Sequence, residues 1–114
     1  MSKRILKLNE LLKRQLGQLF LKKIEFPKGV LVTITRVETS PNLREAIVRI
    51  SAMPSSENKK VQQILKYCIY DLQQEINKKL RMRPIPKIIF REEKEVVEAA
   101  KIEELLEKIK NDDD

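Results

Sequence analysis

The chain has 114 residues, carrying 24 Lys and Arg against 17 Asp and Glu for a net charge of +7, with one Cys and no His. One cysteine excludes an internal disulfide and a multi-cysteine zinc site, and without histidine the commonest metal ligand and general base is missing, so we expect no catalysis, no cofactor and no small-molecule substrate. The length is suited to one domain, and the absence of Trp predicts an aliphatic core.

The first predicted element is an amphipathic helix over residues 3–23. Its apolar side chains recur at steps of three, four and one, which stack on one helix face: Ile5, Leu8, Leu12, Leu16, Leu19 and Phe20. Gly17 is a mild flaw, costing about 1 kcal/mol relative to Ala, and Pro27 should lie beyond the end of the helix.

The chain shows no targeting or membrane-spanning signal. The N-terminus leads into charged periodic sequence rather than the apolar core of a signal peptide. No apolar run approaches the roughly 18 residues that can cross a bilayer. We therefore expect a cytoplasmic protein that does not contact a membrane.

A β-hairpin is predicted next. Residues 30–37 are rich in β-branched side chains, which suit a strand. Residues 46–51 alternate, with Ala46, Val48 and Ile50 on one face, as in a half-buried strand. The Ser-Pro-Asn sequence between them supplies turn chemistry, so the two strands should pair in antiparallel fashion.

A long helix of about 24 residues and a third strand should follow. Ser55 and Ser56 offer a serine N-cap, and Pro84 and Pro86 should stop the helix before a short strand over residues 87–91. The apolar stripe of this helix consists of Val61, Ile64, Leu65, Cys68, Leu72, Ile76 and Leu80.

The C-terminal part is predicted to be an acidic helix and tail over about residues 94–114. From Glu92 onward ten acidic residues face four lysines, a net charge of −6, which leaves +13 on residues 1–91. Such a body attracts phosphate groups while the tail is repelled by them. Surface lysines that only keep the protein soluble are the alternative interpretation.

The order of helix, strand, strand, long helix, strand and helix predicts a two-layer α+β domain, with a three-stranded sheet packed on helices.

This order resembles the type II KH-like fold, and two segments are similar to the ribosome-binding factor A family. Residues 32–46 (VTITRVETSPNLREA) resemble its first strand, turn and second strand. Residues 80–90 (LRMRPIPKIIF) resemble the basic segment before its last strand. The similarity spans roughly residues 3–110, so we expect residues 1–114 to form a single KH-like RNA-binding domain.

The sequence departs from the family within the long helix. Family members lack the Gly-x-x-Gly loop of ordinary KH domains and carry an Ala-x-Gly kink between two helical segments. The corresponding positions here are Cys68, Ile69 and Tyr70. A sharply kinked backbone is costlier without glycine, so either this helix is straighter than in the family or the register of the match differs.

The resemblance implies a non-enzymatic factor that binds 16S rRNA on the free small (30S) ribosomal subunit and assists its late maturation and 16S rRNA processing, as a monomer. Two alternatives stay open: a KH-like protein-interaction module with an acidic protein partner, and a permanent ribosomal protein. Salt dependence separates RNA from protein partners, since phosphate contacts give the steeper loss of affinity.

With no glycine loop, RNA recognition would depend on Lys and Arg side chains. The candidate RNA-binding residues are Arg81 and Arg83 before Pro84; Lys59, Lys60 and Lys66 on the long helix; Lys3, Arg4 and Lys7 at the N-terminus; and Arg44 in the turn. The alternatives are charges that complement the helix macrodipole at its C-terminal end and an ordinary solvated face.

Five further side chains receive structural interpretations. Tyr67 and Tyr70 could stack on bases, but packing against the core is favoured for tyrosines on a helix. Cys68 is interpreted as a buried, inert thiol on the apolar stripe. Glu92 and Glu93 are interpreted as part of a solvated helix face, because no His or nucleophile accompanies them.

Overall fold

The computed structural model describes residues 2–93, which form two helices and a three-stranded sheet. The elements are α1 (Lys3–Lys23), β1 (Leu31–Thr39), β2 (Glu45–Met53), a 3₁₀ turn (Ser55–Glu57), α2 (Asn58–Lys79) and β3 (Lys87–Glu92). The predicted α+β class and the order of these five main elements are confirmed. The predicted helix and acidic tail from residue 94 onward lie outside the described residues.

The sheet is mixed, with strand order β1-β2-β3. β1 and β2 pair in antiparallel fashion, which confirms the predicted hairpin, and β2 and β3 pair in parallel. A parallel pair needs a crossover connection, and α2 supplies it. The register of the hairpin shifts between Ile34 and Arg36, so that Thr35 forms a β-bulge.

The core lies between the two helices and one face of the sheet. α1 contributes Leu12 and Leu16, both fully buried, and β2 contributes Val48 and Ile50 from alternate positions. The stripe of α2 is buried at four of its positions: Val61, Leu65, Leu72 and Ile76. These are the faces that the spacing of apolar residues predicted, and aliphatic side chains dominate them.

The two helices begin differently. Ser2 caps α1, because its hydroxyl oxygen accepts a hydrogen bond from the backbone N–H of Ile5 at 3.2 Å. The predicted serine N-cap of α2 is wrong: both serines lie in the 3₁₀ turn, and the N-cap residue Glu57 makes no capping bond through its side chain. Asn58 instead turns back to the sheet, where its Oδ1 accepts from the N–H of Ala52 at 2.9 Å.

α2 is one uninterrupted α-helix from Asn58 to Lys79. The positions that correspond to the family kink, Cys68 to Tyr70, lie within it. Cys68 is half-buried rather than fully buried, and it packs against the core together with Ile69.

Within residues 2–93 no helix is long and apolar enough to span a bilayer.

Three separate parts of the chain meet at the hairpin end of the sheet. α1 begins there, since Asn9 Oδ1 accepts a hydrogen bond from the N–H of Thr39 at 3.0 Å. β3 also begins there, since the N–H of Lys87 donates to the carbonyl of Arg44 at 2.8 Å. α2 starts at the other end, beside Ala52, and runs back toward the hairpin end. This topology decides which basic residues become neighbours.

Candidate nucleic-acid interface

Seven cationic side chains from three parts of the chain gather at the hairpin end, and all of them are exposed. We call this surface the basic end; it consists of Lys3, Arg4 and Lys7 on α1, Arg44 in the hairpin turn, Arg81 and Arg83 in the connection after α2, and Lys87 at the start of β3. A cluster of this kind raises the local positive potential and attracts phosphate groups.

Hydrogen bonds fix the segments that carry these cations. Asn9 Oδ1 accepts from both the hydroxyl of Thr39, at 2.6 Å, and its N–H, which ties α1 to β1. Gln73 of α2 accepts from the N–H of Ile88 at 2.8 Å through Oε1 and donates to the carbonyl of Pro86 at 3.2 Å through Nε2. The connection after α2 is therefore held at its entry into β3.

The hairpin turn is equally well defined. Asn42 Oδ1 accepts from the N–H of Arg44 at 3.0 Å, and Ser40 Oγ accepts from the N–H of Glu45 at 3.1 Å. Leu43 adopts a left-handed backbone with φ of 61°, and its N–H donates to the carbonyl of Ser40 at 2.9 Å. Local side-chain bonds of this type are what Ser and Asn supply in turns.

The connection after α2 also packs against α1. A shallow cleft is lined by Arg4, Lys7, Leu8 and Leu11 from α1 and by Met82 from the connection. Since Leu8 is buried and Met82 packs against the core, the apolar floor of the cleft brings the cations of α1 beside those of the connection. Sequence spacing could not show this contact, because more than 70 residues separate the two segments.

Arg83, a cation of the basic end, also binds backbone carbonyls just after α2. Its Nη1 donates to the carbonyl of Met82 at 2.7 Å and to that of Leu80 at 3.3 Å. The bond to Leu80 satisfies the carbonyl of the C-cap residue of α2, and the bond to Met82 lies within the connection that follows. A guanidinium has five N–H donors, so the contacts leave donors for a phosphate.

The positive charge of the basic end is not neutralised within the described part of the chain. Across residues 2–93, ion pairs join Glu75 to Lys23 and Lys78 and involve two arginines on the sheet, and none includes a cation of the basic end. Two exposed carboxylates, Glu10 and Glu45, lie in the same segments, against seven cations. The surface keeps a clear positive excess.

The remaining predicted cations lie elsewhere. Lys59, Lys60 and Lys66 are exposed on the first half of α2, which starts at the end of the sheet opposite the hairpin. The structure thus brings the N-terminal cations together with Arg44 and the two arginines after α2. The three lysines on α2 lie apart from them. Lys87 was missed by the sequence analysis, because its neighbourhood with Arg44 depends on the β2–β3 register.

The prediction that the two tyrosines pack in the core is wrong. Tyr67 and Tyr70 are 90% and 71% exposed. The sequence already indicated this exposure. At 100° per residue, Tyr67 and Tyr70 lie roughly 200° and 140° around the helix from Leu65, which marks the buried face.

The open face of the sheet carries a cluster of charged side chains. Glu93 is 1% exposed and accepts hydrogen bonds from Arg36 Nε at 2.8 Å and from the Thr35 hydroxyl at 2.9 Å. Arg49 Nε donates to Glu38 Oε1 at 3.0 Å. The interpretation of Glu92 and Glu93 as a solvated helix face is therefore wrong, since Glu92 ends β3 and Glu93 is buried on the sheet.

Opposing effects set the pKa of Glu93. Burial raises the pKa of this carboxyl, but hydrogen bonds from Thr35 and Arg36 and the positive charges of Arg36 and Arg49 lower it more, so it lies below its ordinary value. Glu93 is thus an ionised structural partner of Arg36. Among the described residues no cluster of three or more His, Cys, Asp or Glu side chains is placed to hold a metal ion.

Fold and surface together define a class: a small two-layer KH-like α+β domain that presents a cationic end built from three chain segments. The chain belongs to the ribosome-binding factor A family, whose family model matches residues 4–106.

Relatives match over nearly the whole chain. The chain is 34% identical over 108 residues to ribosome-binding factor A of Thermodesulfovibrio yellowstonii, covering 95% of this chain and 92% of that protein. It is 32% identical over 112 residues to that of Heliobacterium modesticaldum, covering 97% of this chain and 93% of that protein.

Solved structures of the family have the same fold. The crystal structure of ribosome-binding factor A from Thermus thermophilus matches with a TM-score of 0.68 at 24% identity, over 77% of this chain and 93% of that one. The solution structure of a putative ribosome binding factor A from Thermotoga maritima matches with a TM-score of 0.68 at 28% identity, over 80% and 88%. A homology model of the Thermus thermophilus protein, fitted into a cryo-EM map of a 30S complex, has a TM-score of 0.62 at 24% identity, over 73% and 88%.

Proposed function

We propose that this protein is a cytoplasmic, non-enzymatic factor that binds the small ribosomal subunit through 16S rRNA and assists late maturation of the subunit and processing of that RNA, acting as a monomer. The observation that carries the proposal is the basic end, where seven exposed cations meet in one place. Family membership supports it, because the relatives are named for ribosome binding and one related model is fitted into a 30S complex.

The mode of binding follows from the residue types at the basic end. The chain has two glycines, one within α1 and one in the loop before β1, so no glycine-rich loop is available to approach phosphates with its backbone. Long Lys and Arg side chains remain, and they contact the backbone of a folded RNA rather than reading base edges. Specificity then comes from the shape of the RNA that matches this constellation of cations.

A protein of this kind acts without chemistry. If it binds one arrangement of the immature rRNA more tightly than others, it shifts the population toward that arrangement. A tenfold difference in affinity corresponds to about 1.4 kcal/mol, which a single phosphate contact can supply. Release follows when the mature subunit no longer offers the preferred arrangement.

The first experiment measures affinity for purified small subunits as a function of salt. The test variant carries Lys7→Gln on α1, Arg81→Gln in the connection after α2 and Lys87→Gln at the start of β3. For this variant we expect weaker binding and a log-log salt slope that is shallower by about 2 to 3, because each phosphate contact contributes about 0.7 to 0.9.

A matched control keeps the same change in net charge. It carries Lys13→Gln, Arg14→Gln and Lys22→Gln, which replace one arginine and two lysines at exposed positions of α1. We expect its affinity and slope to stay close to those of the unaltered protein. Equal losses in the two variants would mean that overall charge, and not the basic end, drives binding, and would contradict the proposal.

A second experiment identifies the natural partner. The tagged protein is sedimented from its native cell through sucrose gradients at low and high salt, and the RNA that accompanies it is sequenced. The proposal requires association with free small subunits that carry unprocessed 16S precursor, with loss at high salt. Full stoichiometry on translating ribosomes would make it a permanent ribosomal protein, and absence from all ribosomal fractions would refute the proposal.

A further inference from the structure

Two tyrosines stand out on the outer side of α2. Tyr67 is 90% exposed and Tyr70 is 71% exposed, and no side chain packs against either ring as an aromatic pair within residues 2–93. They are the only tyrosines of the chain. Burying an aromatic ring is favourable by several kcal/mol at most, and here neither ring contributes much to the core.

The tyrosines adjoin lysines along the helix. Residues three, four and seven apart lie on the same side of an α-helix. Lys66 therefore lies one turn before Tyr70, Lys59 lies two turns before Lys66, and Lys60 lies two turns before Tyr67. All three lysines are exposed. We call this surface the tyrosine face; it consists of Lys59, Lys60, Lys66, Tyr67 and Tyr70.

The three lysines lie in the N-terminal half of α2, where the helix macrodipole does not favour cations. The N-terminal end of a helix carries partial positive charge, so lysines there gain no stabilisation from the macrodipole. Within the described residues none of the three has a carboxylate within ion-pair distance. Negative charge brought by a partner would be attracted by both the lysines and the helix end.

We propose that the tyrosine face binds unpaired RNA, with bases stacked on Tyr67 and Tyr70 and phosphates beside the lysines. The inference rests on the proposed function and extends it, because it adds a second contact surface, away from the basic end, for a single-stranded part of the same RNA. Exposed aromatic rings beside cations are the combination that proteins use to bind single strands without reading their sequence.

The structure favours RNA over a protein partner through charge complementarity. Charge also indicates on which side of the rings the phosphates lie. The exposed carboxylate of Asp71 lies one turn after Tyr67, where it repels phosphates, whereas the lysines lie before the tyrosines. The sugar-phosphate backbone therefore runs on the N-terminal side of the rings. The bases must be unpaired, because the faces of paired bases are already covered by stacking within a duplex.

The chain offers a direct optical test. It contains no tryptophan, and both tyrosines lie on this face, so its intrinsic fluorescence reports on the tyrosine face alone. The protein is titrated with a short unstructured single-stranded RNA and, separately, with a blunt-ended RNA duplex, with correction for absorption by the RNA. We expect saturable quenching by the single strand and little quenching by the duplex.

Substitutions then measure what the rings contribute. The variant with Tyr67→Ala and Tyr70→Ala has no tyrosine fluorescence, so the affinities of all variants are measured by the anisotropy of a dye-labelled single strand. This variant should bind at least about 25-fold more weakly, because each of the two stacked bases contributes about fivefold or more. The variant with Tyr67→Phe and Tyr70→Phe keeps both rings and should bind within about twofold of the unaltered protein. Leu21→Ala, which removes a side chain 87% exposed on α1, is the matched control and should change nothing.

Three results would overturn the proposed binding of RNA at the tyrosine face. Equal losses for the Ala and Phe variants would assign binding to the hydroxyl groups and overturn stacking. Unchanged affinity of the Ala variant would overturn the tyrosine face, while the proposed function would stand if the basic-end variant still lost binding to small subunits. An Ala variant that binds RNA normally but loses an acidic protein partner would mark a protein-docking surface and also overturn it.

Discussion

Glu93 and Arg36 are joined by two hydrogen bonds across the sheet, from Nε to Oε2 at 2.8 Å and from Nη2 to Oε1 at 3.3 Å. Glu93 directly follows β3 and Arg36 lies on β1, with β2 between them. The pair therefore links the two edge strands, 57 residues apart in sequence, over the open face. The hydroxyl of Thr35, at the β-bulge, donates to the same carboxylate at 2.9 Å.

Replacing Glu93 by Gln should lower the free energy of unfolding by about 1 to 3 kcal/mol. The amide keeps the size of the side chain but removes the buried charge that Arg36 faces; because Arg36 is partly exposed, the cost is smaller than for a fully buried pair. Denaturant unfolding measures the change. Glu45→Gln, at an exposed position of β2, is the control and should alter stability by less than about 0.5 kcal/mol. Identical midpoints for the two variants would contradict the prediction.

The same carboxylate predicts a dependence of stability on pH. The pKa of Glu93 is lowered in the folded protein, so its contribution is complete above its ordinary value of 4.5 and is lost as pH falls through the folded value. We expect the stability difference between the unaltered protein and Glu93→Gln to be constant near neutral pH and to shrink below about pH 4.5. Thermal unfolding over a pH series tests this, and a difference that does not change on acidification would contradict it.

Asn9→Ala should destabilise the protein by about 1 to 2 kcal/mol. The substitution leaves the N–H and hydroxyl of Thr39 without their acceptor, and Thr39 is only 8% exposed, so water replaces the lost bonds poorly. Chemical denaturation provides the measurement, with Gln18→Ala at an exposed position of α1 as the control. If the bond also holds α1 in place at the basic end, Asn9→Ala will weaken binding to small subunits as well.

The two glycines should respond to alanine in opposite directions. Gly17 lies inside α1 with no atom within 4 Å of an added Cβ, so Gly17→Ala should stabilise by about 0.5 to 1 kcal/mol. Gly29 has φ of 78°, a left-handed conformation, so Gly29→Ala should destabilise by about 1 to 2 kcal/mol. Melting temperatures of the two variants report both signs, and a shift of both in one direction would show that one assignment of backbone conformation is wrong.

The parts of the fold that depend on local or periodic interactions could be predicted from the sequence. The apolar spacing that includes Leu72 and Ile76 identified the buried side of α2, and alternation in β2 identified its inner face. The surroundings of Glu93 and Lys87 could not be predicted, because their neighbours come from distant strands and depend on pairing register. The exposure of Tyr67 was within reach, because the same periodicity that marks the core also marks the opposite side of the helix.

The gathering of the basic end from three separate segments has a thermodynamic consequence. In the unfolded chain Arg4, Arg44 and Arg81 are far apart, so the surface exists only in the folded protein. A ligand that binds the folded state alone stabilises it by mass action, by about 2.7 kcal/mol at a hundredfold excess over its dissociation constant. Binding at this surface and folding of the domain are thus linked equilibria, and every substitution that loosens the junction of the three segments weakens both together.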